Sequence, residues 1–285
     1  MICCVIRDIA VSLHQINDEY MRIYNPEGSQ LRKDQLEQLD MLRDFAEICR
    51  EHDIKWWLCS GTLIGAARHG GFVPWDDDID VSMLKKDFRK LERVMRSLES
   101  EKYIFQTIHS DVEYVNIFGC FRKRTGRRAG EEQKIGYSQY EGIGFDVFCI
   151  EPSNRLAAHL AKFFYCNLQH PTRYIRHKGL RRFCIRTVQL LCLGLINPVL
   201  RLIGLVNPRK QYHYKLGSGF YRSAFYVEDI FPLATMEFEG VSFPVPKDTD
   251  AYLTKIYGDW RKLPSEEAIR KAIHHQIYKD EIFGK

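Results

Sequence analysis

Residues Asp76 to Met83 read Asp-Asp-Asp-Ile-Asp-Val-Ser-Met, so acidic residues stand two apart at the entrance to an apolar strand. A carboxylate built into a buried-type strand is costly unless something positive meets it, and this narrows what the surrounding fold can be. Strand alternation sends Asp78, Asp80 and Ser82 to one face and Ile79, Val81 and Met83 to the other. The Cα atoms of the two acids are then about 6.6 Å apart, with both side chains aimed at one spot. Like charges so placed require a cation, and an oxygen-only donor set suits Mg²⁺ or Mn²⁺ better than zinc. A solvated acidic turn is the plain alternative; the direct passage into Ile79, Val81 and Met83 weighs against it.

Upstream, the apolar run Trp56-Trp57-Leu58-Cys59 leads into Ser60-Gly61-Thr62, and Leu63 to His69 has helical character. Strand, glycine turn and helix in that order create a phosphate site, because N–H groups at a helix N-terminus face a ligand that Gly61 allows to approach. Before it, Leu31 to His52 carries Leu39, Leu42, Phe45, Ala46 and Cys49 at helical spacing, with Ser29 as N-cap after the turn Asn25-Pro26-Glu27-Gly28.

After the acidic strand, Lys85 to Leu98 is expected as a helix, Val115 to Arg122 as a strand, and Tyr140 to Ile150 as a strand with a single acid, Asp146, in an apolar run. Asp146 is the third expected metal ligand, or the base; a strand-edge Asp bonded to backbone is the structural alternative. Leu156 to Val206 is expected to be helical and basic. Its apolar part, Phe183 to Val206, is interrupted by Arg186, Gln189, Asn197-Pro198 and Arg201 and makes a poor spanning helix. A pair of helices packed on the core and broken at Pro198 is the favoured reading, and an interfacial amphipathic hairpin the other. Met236 to Pro246 forms a hairpin about Glu239-Gly240, and Ser265 to His275 a last helix. His274 and His275 could close the site from that side, although adjacent residues on a helix point to different sides. His69 is left out of the catalytic set.

At 285 residues, with 45 % hydrophobic and 28 % charged side chains, the chain is long enough for a catalytic core with an appended lobe. Its +5 net charge is clustered, in Arg122, Lys123, Arg124, Arg127 and Arg128 and again from Arg173 to Arg186, which favours anionic partners. No nucleic-acid module accompanies these clusters, so nucleic acid is not expected among the partners. Nine cysteines, none in a C-x-x-C pair, read as reduced thiols in a cytosolic setting. Arg7 and Asp8 interrupt the apolar run Met1 to Ile6 before a signal peptide forms.

Ser60-Gly61-Thr62-Leu63-Ile64-Gly65-Ala66-Ala67-Arg68-His69, followed by Phe72-Val73-Pro74-Trp75-Asp76-Asp77-Asp78-Ile79-Asp80, resembles the signature of the LicD/fukutin family. Asn25 to Ser29, Phe145-Asp146-Val147-Phe148, and Tyr257-Gly258-Asp259-Trp260 with Leu263-Pro264 are similar to family blocks in the same order. The resemblance implies an α+β fold: a small mixed nucleotidyltransferase-like sheet flanked by helices, with a helical insertion and a C-terminal lobe. The expected division is a catalytic core at 1–154, a basic helical insertion at 155–215 and a lobe completing the site at 216–285.

It implies a metal-dependent phosphotransferase that moves a phospho-alcohol, phosphocholine first, from a CDP-activated donor to a hydroxyl of a cell-surface glycan such as lipopolysaccharide, releasing CMP. The acceptor is a polysaccharide or lipid-linked glycan; apart from the resemblance, the reduced thiols point to a cytoplasmic setting, and the basic clusters with the apolar stretch to peripheral contact at the inner face of the membrane. Animal members of the family use CDP-ribitol. On this reading Asp78, Asp80 and Asp146 hold Mg²⁺ or Mn²⁺ and carry the chemistry, while Ser60, Gly61, Thr62, Arg68 and Arg122 grip the donor phosphates. Asp76 shares the parity of Asp78, and the Trp75 ring packs to orient the acids. Many members carry a lysine where this chain has Cys120, and Lys123 or Arg124 are the expected substitutes. Tyr137, Tyr140, Tyr221, Phe225 and Tyr226 are candidates for an aromatic choline box. Transfer of NMP from an NTP to a sugar phosphate, or binding of glycan or membrane without catalysis, are the competing functions.

Overall fold

The computed structural model describes residues 19–126, 128, 139–215 and 224–284. The readings of residues 1–8, Arg127, Tyr137 and Tyr221 lie outside the described residues. The fold is a mixed sheet flanked by helices. Its strands are β1 (Trp56–Leu58), β2 (Asp80–Leu84), β3 (Tyr103–Gln106), β4 (Gly119–Lys123), β5 (Gly144–Pro152) and β6 (Tyr212–Tyr214). They run in the order β1-β2-β5-β4-β3, with β6 on the far half of β5. Only the central pair, β2 with β5, is parallel; β1 with β2, β3 with β4, β4 with β5, and β5 with β6 are antiparallel. The parallel register sets Asp80 opposite Asp146, and the β4 register sets Cys120 opposite Asp146. Two acids distant in sequence thus become neighbours at the start of the two central strands.

Helix α1 (Gln30–Glu51) lies against this sheet through Phe45, whose ring centroid is 5.1 Å from Trp56, 5.3 Å from Phe121 and 5.4 Å from Phe145. Its N-terminus is well capped. Ser29 Oγ accepts from Arg32 N at 3.0 Å, and the Glu281 carboxylate accepts from Gln30 N at 2.8 Å and Leu31 N at 3.3 Å, placing negative charge where the helix dipole favours it. Helices α2 (Ser60–His69) and α3 (Lys85–Leu98) follow β1 and β2.

A second apolar cluster, with Tyr24, Leu31, Val73, Trp75, Ile269, Ile273 and Tyr278, joins the start of α1 to the end of the chain. The hairpin β7 (Ala234–Phe238) and β8 (Val241–Val245) packs beside β1, and Glu239 and Gly240 turn with φ of +51° and +72° as a tight two-residue connection needs.

Several expected boundaries move. The strand expected from Val115 starts at Gly119, because residues 115–118 pack as irregular chain whose Val115 carbonyl accepts from Gln169 Nε2 at 2.7 Å. The acidic strand starts at Asp80, not at Asp76; residues 76–79 are extended chain bonded to α1 side chains. The last helix splits into α9 (Glu266–Ala272) and α10 (Gln276–Phe283), so His274 and His275 stand in the extended link between them.

The helical excursion comprises α4 (Arg155–Phe164), α5 (Lys178–Leu191) and α6 (Asn197–Leu205), before the chain returns as β6. Here the favoured reading of two core-packed helices broken at Pro198 is overturned. A π-helical turn, Cys192–Ile196, carries α5 into α6 as one continuous helix, and Pro198 is the second residue of α6, just after that turn. The joined helix Lys178–Leu205 is also long and apolar enough to cross a membrane by length and composition, with only 22 % of its most apolar window buried. Helices α7 (Val227–Ile230) and α8 (Thr249–Tyr257) complete the described chain around the hairpin.

Candidate active site

The acidic segment is held in place from three directions. From α1, Gln35 Nε2 donates to Asp76 O at 2.7 Å and Gln38 Nε2 to Asp77 O at 3.0 Å, while Gln38 Oε1 accepts from Ile79 N at 3.2 Å. From α2, Thr62 Oγ1 accepts from Asp80 N at 2.8 Å. From the end of the chain, His274 N and Nδ1 reach the Asp77 carboxylate at 3.3 and 3.2 Å. Both glutamines and Thr62 are buried, so their bonds are made away from water, where leaving either partner unpaired is expensive.

Asp76, Asp78, Asp80 and Asp146 form one electrostatic cluster. Burial first, and then neighbouring carboxylates, push each above the usual carboxylate range: Asp78 and Asp77 act on Asp76, Asp77 on Asp78, and Asp78 and Asp146 on Asp80. Asp146 is pushed up to about 7 by burial and by Asp78, against the pull of Arg122 and Arg128. Asp77 differs. Burial raises it, but the His274 hydrogen bond and the charges of His274, His275 and Arg128 outweigh that and hold it below its ordinary value. His274 is raised in return, foremost by its bond to Asp77.

A cleft of about 150 Å³ opens beside these groups, walled by Asp78 and Asp146 on the acidic side and Arg122, Arg128 and His275 on the basic side. Arg122 is fixed by Gln106 Oε1 at 2.9 Å, and Arg128 by Asp77 O at 2.9 Å and His275 Nε2 at 3.1 Å. Gly144 leaves room there, since a Cβ would lie 2.8 Å from Cys120 Sγ and 2.9 Å from Phe121 O. Carboxylates facing two guanidiniums across a small polar cleft suit a cation and a phosphate side by side.

The sequence-expected residues divide. Asp78, Asp80, Asp146 and Arg122 meet at this site, with Asp76 among them. Among the described residues, the group whose ligand atoms all lie within 4.8 Å of one another is however Asp77, Asp78 and His274. Asp77 and Asp78 offer carboxylate oxygens and His274 an imidazole nitrogen, a set that could hold a divalent ion.

Ser60-Gly61-Thr62, expected as a turn before the helix, are instead the first residues of α2, and the space over Gly61 belongs to Asp76: a Cβ there would lie 2.3 Å from Asp76 Oδ2. Ser60, at φ +50°, places its hydroxyl against Cys59, Asp80 and Tyr257. Arg68 turns away to the carbonyls of Trp260 and Lys262, at 2.9 and 3.4 Å. Trp75 is buried against Tyr20, Tyr24 and His69 and anchors the loop that carries the acids.

Neither expected substitute for the missing lysine at Cys120 is used. Lys123 pairs with Glu37 at 2.6 Å, and Arg124 bonds the Tyr103 carbonyl and the Tyr140 hydroxyl at 3.2 and 3.3 Å. The extra cation in the cleft is Arg128. The described candidates for a choline box are engaged elsewhere: Phe225 is core, the Tyr226 ring takes Lys255 at 4.4 Å, and the Tyr140 ring takes Arg124 at 5.6 Å. Asp77, Arg128 and Tyr257 were not singled out from sequence. Asp77 has the wrong strand parity for an acid expected to face the site, Arg128 was one of a run of cations, and only the signature block around Tyr257 pointed to it.

An acid cluster on adjacent central strands, set against arginines, accords with the nucleotidyltransferase-domain class that the matching family model describes. The chain belongs to the LicD family. Residues 53–190 match the family model described as LicD/FKTN/FKRP, nucleotidyltransferase domain. Over 254 residues it is 30 % identical to the lipopolysaccharide cholinephosphotransferase LicD of Haemophilus influenzae, covering 83 % of this chain and 93 % of that protein. A shorter stretch of 41 residues is 42 % identical to the human ribitol 5-phosphate transferase FKRP, covering 14 % of this chain and 8 % of that protein.

Proposed function

We propose that this protein transfers a phospho-alcohol, phosphocholine first among the candidates, from a CDP-activated donor to a hydroxyl of a cell-surface glycan. The observation that carries the reading is the cleft in which Asp78 and Asp146 face Arg122 and Arg128, in a chain that aligns along nearly the whole of a cholinephosphotransferase. A Mg²⁺ or Mn²⁺ ion held by Asp78, Asp80 and Asp146, or by Asp78 with Asp77 and His274, would neutralise charge growing on the donor phosphates.

The residues of the chain supply the rest. Arg122 and Arg128 bind and orient the diphosphate by charge-assisted hydrogen bonds. The acceptor oxygen attacks the phosphorus that bears the alcohol, the bond from that phosphorus to the bridging oxygen breaks, and the electron pair leaves with CMP. Asp146, where it is not itself a metal ligand, is the carboxylate that receives the acceptor proton. Gly61 and Thr62 act by positioning Asp76 and Asp80, and Arg68 by fixing the C-terminal segment. A cytoplasmic setting is supported by the free thiols of the described cysteines.

Calorimetric titration with CDP-choline, CDP-ribitol, CDP-glycerol and CTP, each with Mg²⁺ and with EDTA, tests the reading. Metal-dependent binding of one CDP-alcohol above CTP, followed by release of CMP on adding acceptor, is the expected result. Tighter binding of CTP would point to NMP transfer, and no nucleotide binding to a non-catalytic role.

A further inference from the structure

No aspartate or glutamate stands between Glu151 and Glu228, although the chain holds 37 of them. Within that acid-free stretch Arg173, Arg176, Lys178, Arg182 and Arg186 are exposed. The joined helix Lys178–Leu205 has two different faces. Arg181, Ile185, Cys192, Leu200 and Gly204 turn inward, Arg181 pairing with the buried Glu113. Phe183, Leu190, Leu195, Leu202 and Leu205 turn outward and are 62–78 % exposed. A row of large apolar side chains this open, in a stretch of chain whose charged residues are all cations, is a surface built for a partner.

We propose that this outer face docks in the plane of an anionic lipid bilayer, its apolar row entering the headgroup boundary and its cations meeting lipid phosphates. The charge pattern selects this occupant. A second copy of the chain would bring two acid-free, cationic rims together, which like-charge repulsion opposes.

Spanning is disfavoured by the inner face, which is committed to protein. Asn154 Nδ2 donates to the carbonyls of Ile203 and Val206 at 2.7 and 2.9 Å, and Glu113 bonds both Arg181 and Arg182. The excursion also adjoins the acids: Tyr165 donates to Asn116 Oδ1 at 3.3 Å and feels the Asp146 charge. The inference goes beyond the transfer reaction and does not rest on it.

The test is co-sedimentation of the purified chain with vesicles of phosphatidylcholine alone and with about 30 % phosphatidylglycerol, at low and high salt. Binding to the anionic vesicles, weakened several-fold by salt or by omitting phosphatidylglycerol, is expected. Leu190→Gln with Leu202→Gln, and separately Arg173→Gln with Arg186→Gln, should each lose most of it while keeping the wild-type circular dichroism and melting temperature. If the leucine pair were to unfold the chain, the arginine pair, on exposed side chains, still decides. The proposal is overturned by no binding to anionic vesicles, by unchanged binding of both variant pairs, or by wild-type protein that resists an alkaline carbonate wash as a spanning helix does. A dimer in light scattering that dissolves in the leucine variant, without vesicle binding, would assign the face to a second copy.

Discussion

At the residue scale, the acids repel one another, and this separates their catalytic from their structural value. Asp80→Asn or Asp146→Asn removes a charge whose ionisation burial and neighbouring carboxylates already oppose. Turnover should fall by about a hundredfold or more, while the melting temperature in EDTA holds or rises; a marked fall in melting temperature would contradict the repulsive cluster. Thr62→Val should behave oppositely. It keeps the shape but strands the Asp80 N–H in a buried site, so urea unfolding should show a loss of about 1–3 kcal/mol. Gly61→Ala drives a methyl into the Asp76 carboxylate and should impair activity more than stability, as comparing assay with melt would reveal.

At the scale of elements, α1 serves as the rigid back of the site, since Gln35 and Gln38 on its inner face bond the acidic segment that Trp75 anchors. The hairpin turn fastens the same helix: Glu239 accepts from Arg32 at 2.7 Å and from Phe72 N at 3.1 Å. Burial raises the Glu239 carboxyl, but these bonds outweigh it and hold it below its usual 4.5. The stability it contributes is therefore complete above about pH 4.5 and is lost as the pH falls through the depressed folded value. Urea unfolding of wild type and Glu239→Gln across the acid range should show the variant weaker near neutrality and the difference shrinking towards low pH.

At the scale of the whole molecule, residues 265–284 reach both the second apolar cluster and the acidic segment. Tyr278 donates to Asp34 across 244 positions of sequence, Glu281 caps α1, and His274 holds Asp77. Deleting residues 265–284 should leave a chain that melts at lower temperature and does not turn over. Tyr278→Phe, which removes only the hydroxyl, should cost about 1.5–3 kcal/mol in a denaturant titration because the bond goes to a buried acid.

Local chemistry carried much of this. The Ser29 cap, the helix Lys85–Leu98 and the Glu239-Gly240 turn were legible because capping and periodicity act over a few residues, and Asp78, Asp80 and Asp146 stood out as acids in apolar runs. Three things were decided only by tertiary structure. Asp80 meets Asp146 through a parallel register, Arg128 and His274 reach the acids through loops, and Cys120 loses its expected substitutes because Lys123 and Arg124 find bonds elsewhere. The excursion shows the same division: its apolar composition was plain in the sequence, but which side of each turn faces protein depends on where Glu113 and Asn154 lie in space. Periodicity says that a helix has two faces, and only packing says what each one meets.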